Sequence, residues 1–370
     1  MQRNRSRPED PRPRTLLHLA EYSPHTPGAF VRCLEHLAPA VRSAGLEPRL
    51  ALPVSDAPRD WHGRLVEAGW KVHLLGRPWG LHPSFVRSLG SLLRRCRPSI
   101  THLHFHAATL LPLSTLHRGR SGRRFLHWHN PPRVGRFRLR LFDSLCCPEH
   151  LTAGEWLADE LKRAAPAAAR RVTAIPNGIE LPPRAHGIRG SDLLTVSALR
   201  SQKDPDTLLE AVALLERSGW SGRLVWVGSG PEEERVAAVA ERLNLRCVVF
   251  AGDVSDPAPL YDRCAVFVLS SRYEGLPYAV LEAMAHARPV VATDLPGIRE
   301  SLGEEAGRLC VPPRDPRALA AVLGDLLTDP ARATEIGGRL RRRAEERYSV
   351  ARWVASVLAS YERGSEPAIR

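Results

Sequence analysis

From Thr15 onward the chain alternates short apolar runs with longer amphipathic stretches, and this alternation leaves few folds open to it. In the first half Thr15–Ala20, Pro48–Pro53, Lys71–Leu75, Ser99–His104, Arg124–His129 and Arg171–Ile175 read as strands. In the second half Asp192–Ser197, Arg223–Gly228, Arg246–Ala251, Val266–Ser270 and Pro289–Thr293 do the same. Helical periodicity fills gaps between them at Ala29–Ala44, which stops at Gly45, and at Asp206–Arg217, Pro231–Leu243, Pro277–Ala287 and Asp315–Leu327. Near-continuous Val/Ile/Leu strands alternating with helices predict parallel sheets covered on both faces, an α/β class. Residues 176–190 gather Pro, Asn, Gly and Arg and read as a junction between two such units. The expected division is a basic disordered tail at 1–14, a first domain at 15–178, a second at 179–346, and a closing helix and tail at 347–370.

A length of 370 residues suits two domains, and 43% hydrophobic residues suffice to bury a core in each. No apolar stretch approaches the roughly 18 residues that cross a bilayer. The Arg-rich segment Met1–Arg14 lacks the apolar core of a secretory signal, so a cytoplasmic location is expected. Seven scattered cysteines without CxxC spacing read as reduced thiols. Charge is unevenly shared. Residues 1–180 carry 28 Lys+Arg against 14 Asp+Glu, whereas residues 181–370 carry 25 against 26. The excess positive charge therefore belongs to the first half.

Ligands of open α/β sheets bind beyond the carboxyl ends of the strands, and the second half is rich in chemistry there. The run Thr195–Leu209 ends a strand, places Arg200 and Lys203 in a loop, and starts a helix, which suits a pyrophosphate. Asp204 reads as the cap of that helix rather than as part of a metal-binding pair with Asp206. Gly228 and Gly230 in a strand–turn–helix would let backbone approach a nucleotide. The sharpest signal is Glu274 followed by seven residues and Glu282, with Gly275 and Leu276 between them and a helix opening near Pro277. Two carboxylates at a strand end suit the vicinal hydroxyls of a sugar and a ribose.

The second half resembles the donor domain of family 4 glycosyltransferases. The matching pieces are Pro176–Glu180, the Leu199–Lys203 loop, Gly228–Pro231, Phe250–Gly252, the Glu274/Glu282 motif, Pro289–Thr293, Pro296–Glu300, and Tyr348 with Trp353 and Tyr361. The resemblance implies a GT-B fold, two Rossmann-like domains facing across a cleft with the C-terminal helix crossing back to the first. It implies a retaining transferase that moves a sugar from a nucleotide diphosphate sugar to a hydroxyl without a metal or other cofactor. It assigns Lys203 to the diphosphate, Glu274 to the donor sugar and Glu282 to the ribose. The family's arginine position holds Ala198 here, and Arg200 is the expected substitute.

In the first half Gly28, just before a helix, matches part of the family's glycine pair near the donor phosphate. His102, His104 and His106 alternate onto one strand face, and His127 and His129 onto the next. His129 resembles the family's acceptor-side histidine that reaches the donor sugar; the others are expected to pack or line the cleft. Five histidines without a local Cys or carboxylate do not complete a tetrahedral zinc set. Between Arg118 and Arg140 stand eight arginines and no acid, with Phe137, Leu139 and Leu141 among the last of them. Such a surface would attract a phosphorylated or lipid-linked acceptor, or an anionic membrane. Two rival functions share parts of this pattern. A nucleotide-sugar epimerase of the same architecture would use the same donor cleft, and a nucleic-acid-binding protein would explain the basic charge but lacks a reading motif.

Overall fold

A computed structural model describes residues 14–22, 26–54, 59–76, 83–105, 122–131, 136–146, 148–188 and 190–363. Two parallel sheets organise the chain. The first contains β1 (Arg14–Ala20), β2 (Leu46–Pro53), β3 (Lys71–Leu75), β4 (Ile100–His104), β5 (Arg123–Trp128), β6 (Glu149–Thr152) and β7 (Val172–Ala174), in the order β3-β2-β1-β4-β5-β6-β7. The second contains β8 (Leu193–Val196), β9 (Leu224–Val227), β10 (Val248–Gly252), β11 (Val266–Leu269), β12 (Val290–Thr293) and β13 (Cys310–Val311), in the order β10-β9-β8-β11-β12-β13. Each order reverses beside its first strand, between β1 and β4 and between β8 and β11, so each sheet opens a crevice at the carboxyl end of that pair.

Two of these strands escape the sequence pattern. β6 has four residues, among them Glu149 and His150, and β13 has two, so neither forms a recognisable apolar run. Arg14, placed by composition in the basic tail, begins β1; the rest of that tail lies outside the described residues. The helix Ala29–Ser43 forms where expected and continues through Pro39. The C-terminal region makes two helices, Pro330–Arg347 and Val350–Glu362.

The last helix joins the two halves. Ile179 donates its N–H to the Tyr348 carbonyl at 2.7 Å, and Val350 donates to the Ile179 carbonyl at 2.8 Å. From there Trp353, Val357 and Tyr361 enter the apolar cluster of the first half, beside Leu34, Leu37 and Val41 of the helix Ala29–Ser43. Gly178 permits this crossing, because a side chain there would meet the Trp353 Cβ at 2.6 Å. The six described cysteines are free thiols.

Candidate functional site

At the carboxyl ends of β8 and β11 two loops are tied together before any ligand chemistry enters. After Val196 the chain makes a single 3-10 turn, Ser201–Lys203, and reverses at Asp204, whose φ of 48° is left-handed. The Ser270 hydroxyl donates to the Lys203 carbonyl at 2.8 Å and the Asp204 carbonyl at 3.0 Å. The Gln202 side-chain amide donates to the Tyr273 carbonyl at 3.0 Å. Lys203 is thereby turned back onto Glu274, with Nζ 2.6 Å from Oε1, and the Ser271 hydroxyl donates to the same oxygen at 2.6 Å. Glu274 is buried and Lys203 nearly so.

Asp204 occupies the helix-start position but caps no backbone N–H; its carboxylate accepts the Thr207 hydroxyl at 2.9 Å and Arg272 at 2.8 Å. With Asp204 in the left-handed region its carboxylate takes the Thr207 hydroxyl of the first turn instead of a backbone N–H, which corrects the capping expectation.

Glu282 lies on the helix Tyr278–Ala285. Its Oε2 accepts the Tyr261 hydroxyl at 3.0 Å, and its Oε1 accepts Arg32, which reaches across from the helix Ala29–Ser43. Arg32 also stands 3.6 Å from a Glu180 oxygen. Burial works against the guanidinium charge, but Glu282 and Glu180 more than offset it and hold the group above its ordinary pKa. Burial and the Glu282 charge push the Tyr261 phenol well up. Arg32 and Glu282 stand between two cavities. One, of about 190 Å³, is lined by Gly28, Ala198, Gly228, Ser229 and Asp253 among others; one of about 520 Å³ is lined by His36, Glu180, Tyr261 and His286 among others.

The glycines turn out to be required by protein packing. A Cβ on Gly228 would lie 2.4 Å from the Ser197 carbonyl oxygen, and one on Gly230 would lie 2.3 Å from that of Leu199. Gly228 still lines the smaller cavity, whereas Gly230 does not. Gly275 is pressed by the opposite half, with a Cβ position 1.8 Å from the His129 carbonyl oxygen. The Leu276 carbonyl accepts the Asn177 amide at 2.7 Å, and that of Gly275 accepts the Trp156 indole at 3.2 Å. Arg200 is exposed and lines neither cavity.

The histidines of the first half are joined end to end. His127 Nδ1 lies 3.3 Å from His102 Nε2, whose other nitrogen meets the Tyr361 hydroxyl. That hydroxyl is 2.9 Å from His18 Nε2; His18 Nδ1 is 3.0 Å from His104 Nε2, and His104 Nδ1 is 3.2 Å from His129 Nε2. His127 Nε2 and His129 Nδ1, the two ends, are buried and have no hydrogen-bond partner among the described residues. Either direction of donation satisfies every inner link with neutral rings. Burial pushes the pKa of His18 and His129 down to about 3, and burial together with neighbouring imidazoles pushes His102, His104 and His127 well down. The trios His18/His102/His104 and His104/His127/His129 each bring ring nitrogens within 4.8 Å of one another, so their donor sets could hold an ion, but here those nitrogens bind one another. His106 lies outside the described residues.

Sequence reasoning missed Arg32, Tyr261 and His18, and named Tyr361 and Glu300 only as pieces of the family resemblance, without the contacts they make. His18 was within reach, since the alternation of β1 places it on one face and its register partner is His102. Glu300 accepts the N–H groups of Glu155 and Trp156 at 2.9 and 2.8 Å, capping a helix of the other half; burial raises its carboxyl pKa despite those two bonds. Nothing in the sequence pairs it with that helix.

Comparisons with known proteins agree in kind. The sequence model described as "Glycosyltransferase Family 4" matches residues 30–181, and that described as "Glycosyl transferases group 1" matches residues 190–329. The D-inositol 3-phosphate glycosyltransferase of Kineococcus radiotolerans is 37% identical over 174 residues, 41% of this chain and 40% of that protein. The glycogen synthase of Mycobacterium tuberculosis is 26% identical over 322 residues, 81% of this chain and 74% of that protein. The chain spans about half the length, or less, of several curated relatives it matches, such as the EpsD glycosyltransferase of Bacillus subtilis at 47%. Among solved structures, Anabaena HepE in complex with UDP-glucose superposes with a TM-score of 0.75 at 18% identity, covering 94% of this chain and 99% of that one. A glycosyltransferase from Rickettsia africae gives 0.77 at 15% identity, covering 95% and 100%.

Proposed function

We propose, from the premise that the chain belongs to the family 4 glycosyltransferases with the GT-B fold, that it is a retaining transferase moving a sugar from a nucleotide diphosphate sugar to a hydroxyl. The observation that carries this reading is the Lys203–Glu274 pair at the crevice of the second sheet, 2.6 Å apart and opposite the Gly275 contact with His129. In the reaction the anomeric C–O bond to the diphosphate breaks, the acceptor oxygen bonds to the anomeric carbon, and the acceptor proton passes to the departing phosphate oxygen. Charge builds on the diphosphate, and Lys203 stabilises it. Glu274 would hold sugar hydroxyls and Glu282 the ribose. His129, neutral at pH 7, would offer Nδ1 to the donor sugar. No metal is required in this scheme, because protein cations and helix N-termini provide the positive charge. Retention, the residue roles and metal independence rest on the family resemblance. The UDP and UDP-glucose bound to HepE support a nucleotide-sugar donor.

The acceptor is proposed to be phosphorylated or lipid-linked, drawn by the basic first half. Part of the arginine run is engaged within the fold. Arg123 pairs with Glu149 and stands over the Phe125 ring at 4.9 Å, and Arg124 donates to the Cys146 carbonyl at 2.8 Å. Arg140 and Leu141 are exposed on the helix Arg136–Cys146, while Arg118, Arg120, Arg133 and the side chains of Arg136 and Arg138 lie outside the described residues. Among the described residues no helix is long and apolar enough to cross a membrane. Peripheral binding to an anionic surface would use this helix, and cosedimentation with phosphatidylglycerol vesicles at low and high salt tests it. No binding at low salt favours a soluble acceptor.

The donor is tested by thermal shift across UDP-, GDP- and dTDP-sugars, since a bound ligand stabilises the fold by mass action. Incubation with the stabilising donor alone distinguishes transfer from isomerisation. An isomer appearing without acceptor would mean an epimerase.

A further inference from the structure

Arg32 is a first-half cation placed inside the second half's ligand crevice, and no part of the sequence reading assigned it a task. Its side chain is 17% exposed. It is the one cation among the described residues that line the 190 Å³ cavity. The wall it faces on the second half is small and uncharged at Ala198 and Gly228, and carries the Asp253 carboxylate, which accepts the Ser229 N–H at 2.9 Å and the Ser229 hydroxyl at 2.8 Å. On its own side the helix beginning at Ala29 has no acid in its first turn and starts from Gly28, so the positive end of the helix and a guanidinium converge on one space.

We infer that Arg32 binds the diphosphate of an incoming nucleoside diphosphate, and that to do so it leaves Glu282, which is thereby released to accept the ribose hydroxyls. The inference rests on the donor-cleft reading above and adds a residue and an order of events to it. Two features support it. Arg32, Pro257 and Glu282 border both cavities, and ligand pockets usually measure about 300–1,000 Å³, so the smaller cavity alone cannot take a nucleotide. Parting the Arg32–Glu282 pair removes the shared wall. Further, without Glu282 this buried cation would keep only the half-exposed Glu180 carboxylate at 3.6 Å, and an under-compensated charge out of water is strongly unfavourable. Arg32 therefore exchanges one anion for another. A diphosphate drives the exchange and a neutral nucleoside does not, so the pair discriminates for phosphorylated ligands.

The test is calorimetric titration of the full chain with UDP, GDP and dTDP, then of the tightest binder beside its nucleoside, in wild type, Arg32→Met, Glu282→Gln and the double variant. Arg32→Met should weaken the diphosphate by about tenfold or more, the worth of one charge-assisted hydrogen bond. It should leave nucleoside affinity unchanged or raise it, since Glu282 is freed, and any gain should vanish in the Glu282→Gln background. Wild-type affinity for the diphosphate in Arg32→Met overturns the inference and leaves Arg32 an interdomain strut, with the donor-cleft reading intact. Equal loss of nucleoside and diphosphate also overturns it, as the mark of a structural role. If wild type binds none of the three diphosphates, the donor-cleft reading fails and the inference falls with it. Should Arg32→Met not fold, Arg32→Lys replaces it: loss of diphosphate affinity without loss of nucleoside affinity supports the exchange, and unchanged affinity for both overturns it.

Discussion

The two halves share a parallel-sheet plan but place their polar groups differently. In the second half one apolar cluster runs through Leu194, Trp226, Phe267, Met284 and Leu323, and the candidate donor-site groups Lys203, Glu274 and Glu282 stand beyond the strand ends. In the first half the apolar residues divide into two clusters on either side of the sheet, and one sheet face carries His18, His102, His104 and His127. One half keeps its candidate chemistry at the rim. The other builds a neutral hydrogen-bonded chain into its core and closes it with Tyr361 from the far end of the sequence. A sheet interior can tolerate such polarity only when nearly every group is paired, whereas a rim group can exchange its partner for a ligand.

The largest effect expected from this difference is at the rim. Lys203→Ala should lower turnover by about 100- to 1,000-fold, the usual loss of one electrostatic group at a reacting centre, and should also lower the melting temperature, because it leaves the buried Glu274 carboxylate without its cation. Steady-state transfer rates and a melting curve decide it; near-normal turnover would remove the second half's claim to the diphosphate.

Acid should act on the first half. Each of the five linked histidines His18, His102, His104, His127 and His129 has a folded pKa below its unfolded value near 6.5, so the unfolded protein binds protons there that the folded one does not. Their contribution to stability is complete above about pH 6.5 and declines as pH falls below it, for His18 and His129 down to about 3. Each unit of depression amounts to about 1.4 kcal/mol, so the five together should lower stability measurably by pH 5. Melting from pH 8 to pH 5 should show a falling midpoint, steeper in wild type than in His127→Leu. A flat midpoint would mean that the imidazoles are already hydrated or charged.

A smaller loss isolates the closing helix. Tyr361→Phe removes the hydroxyl that joins His18 to His102 and leaves two buried nitrogens without it, at about 1–3 kcal/mol. Urea unfolding measures this directly. An unchanged midpoint would show that the chain does not depend on its central link.

The smallest expected change in binding comes from His129→Ala. It should reduce transfer while altering UDP, GDP or dTDP affinity by less than about threefold, because it removes no charge and touches no phosphate in the proposed arrangement. If nucleotide affinity fell as far as turnover, His129 would belong with the second half's site, and the division between the halves would fail at that point.

Strand and helix periodicity made most of both sheets legible, to the residue at β3 and to within one residue at β1 and β11, because Val/Ile/Leu runs bounded by Gly, Pro and Asp report local structure directly. The pairing of Lys203 with Glu274 was half legible: each stands at a strand end, and strand ends on one side of a parallel sheet are neighbours. β6 and β13 were hidden by their shortness. Other relations had no local signal. Arg32 and Glu282 are 250 positions apart, and His102 and Tyr361 are 259 apart. Gly275 stood out as a neighbour of the motif acids, and the structure shows the His129 carbonyl packed against it. The sequence by itself determined the elements and the chemical types available at their ends, since these depend on neighbours within a few positions. Only the tertiary structure decided which charges meet across the cleft, which glycines answer to packing, and that the histidines form one neutral chain. Those outcomes depend on burial and on contacts between distant segments, and both exist only after the two sheets and the returning C-terminal helix have come together.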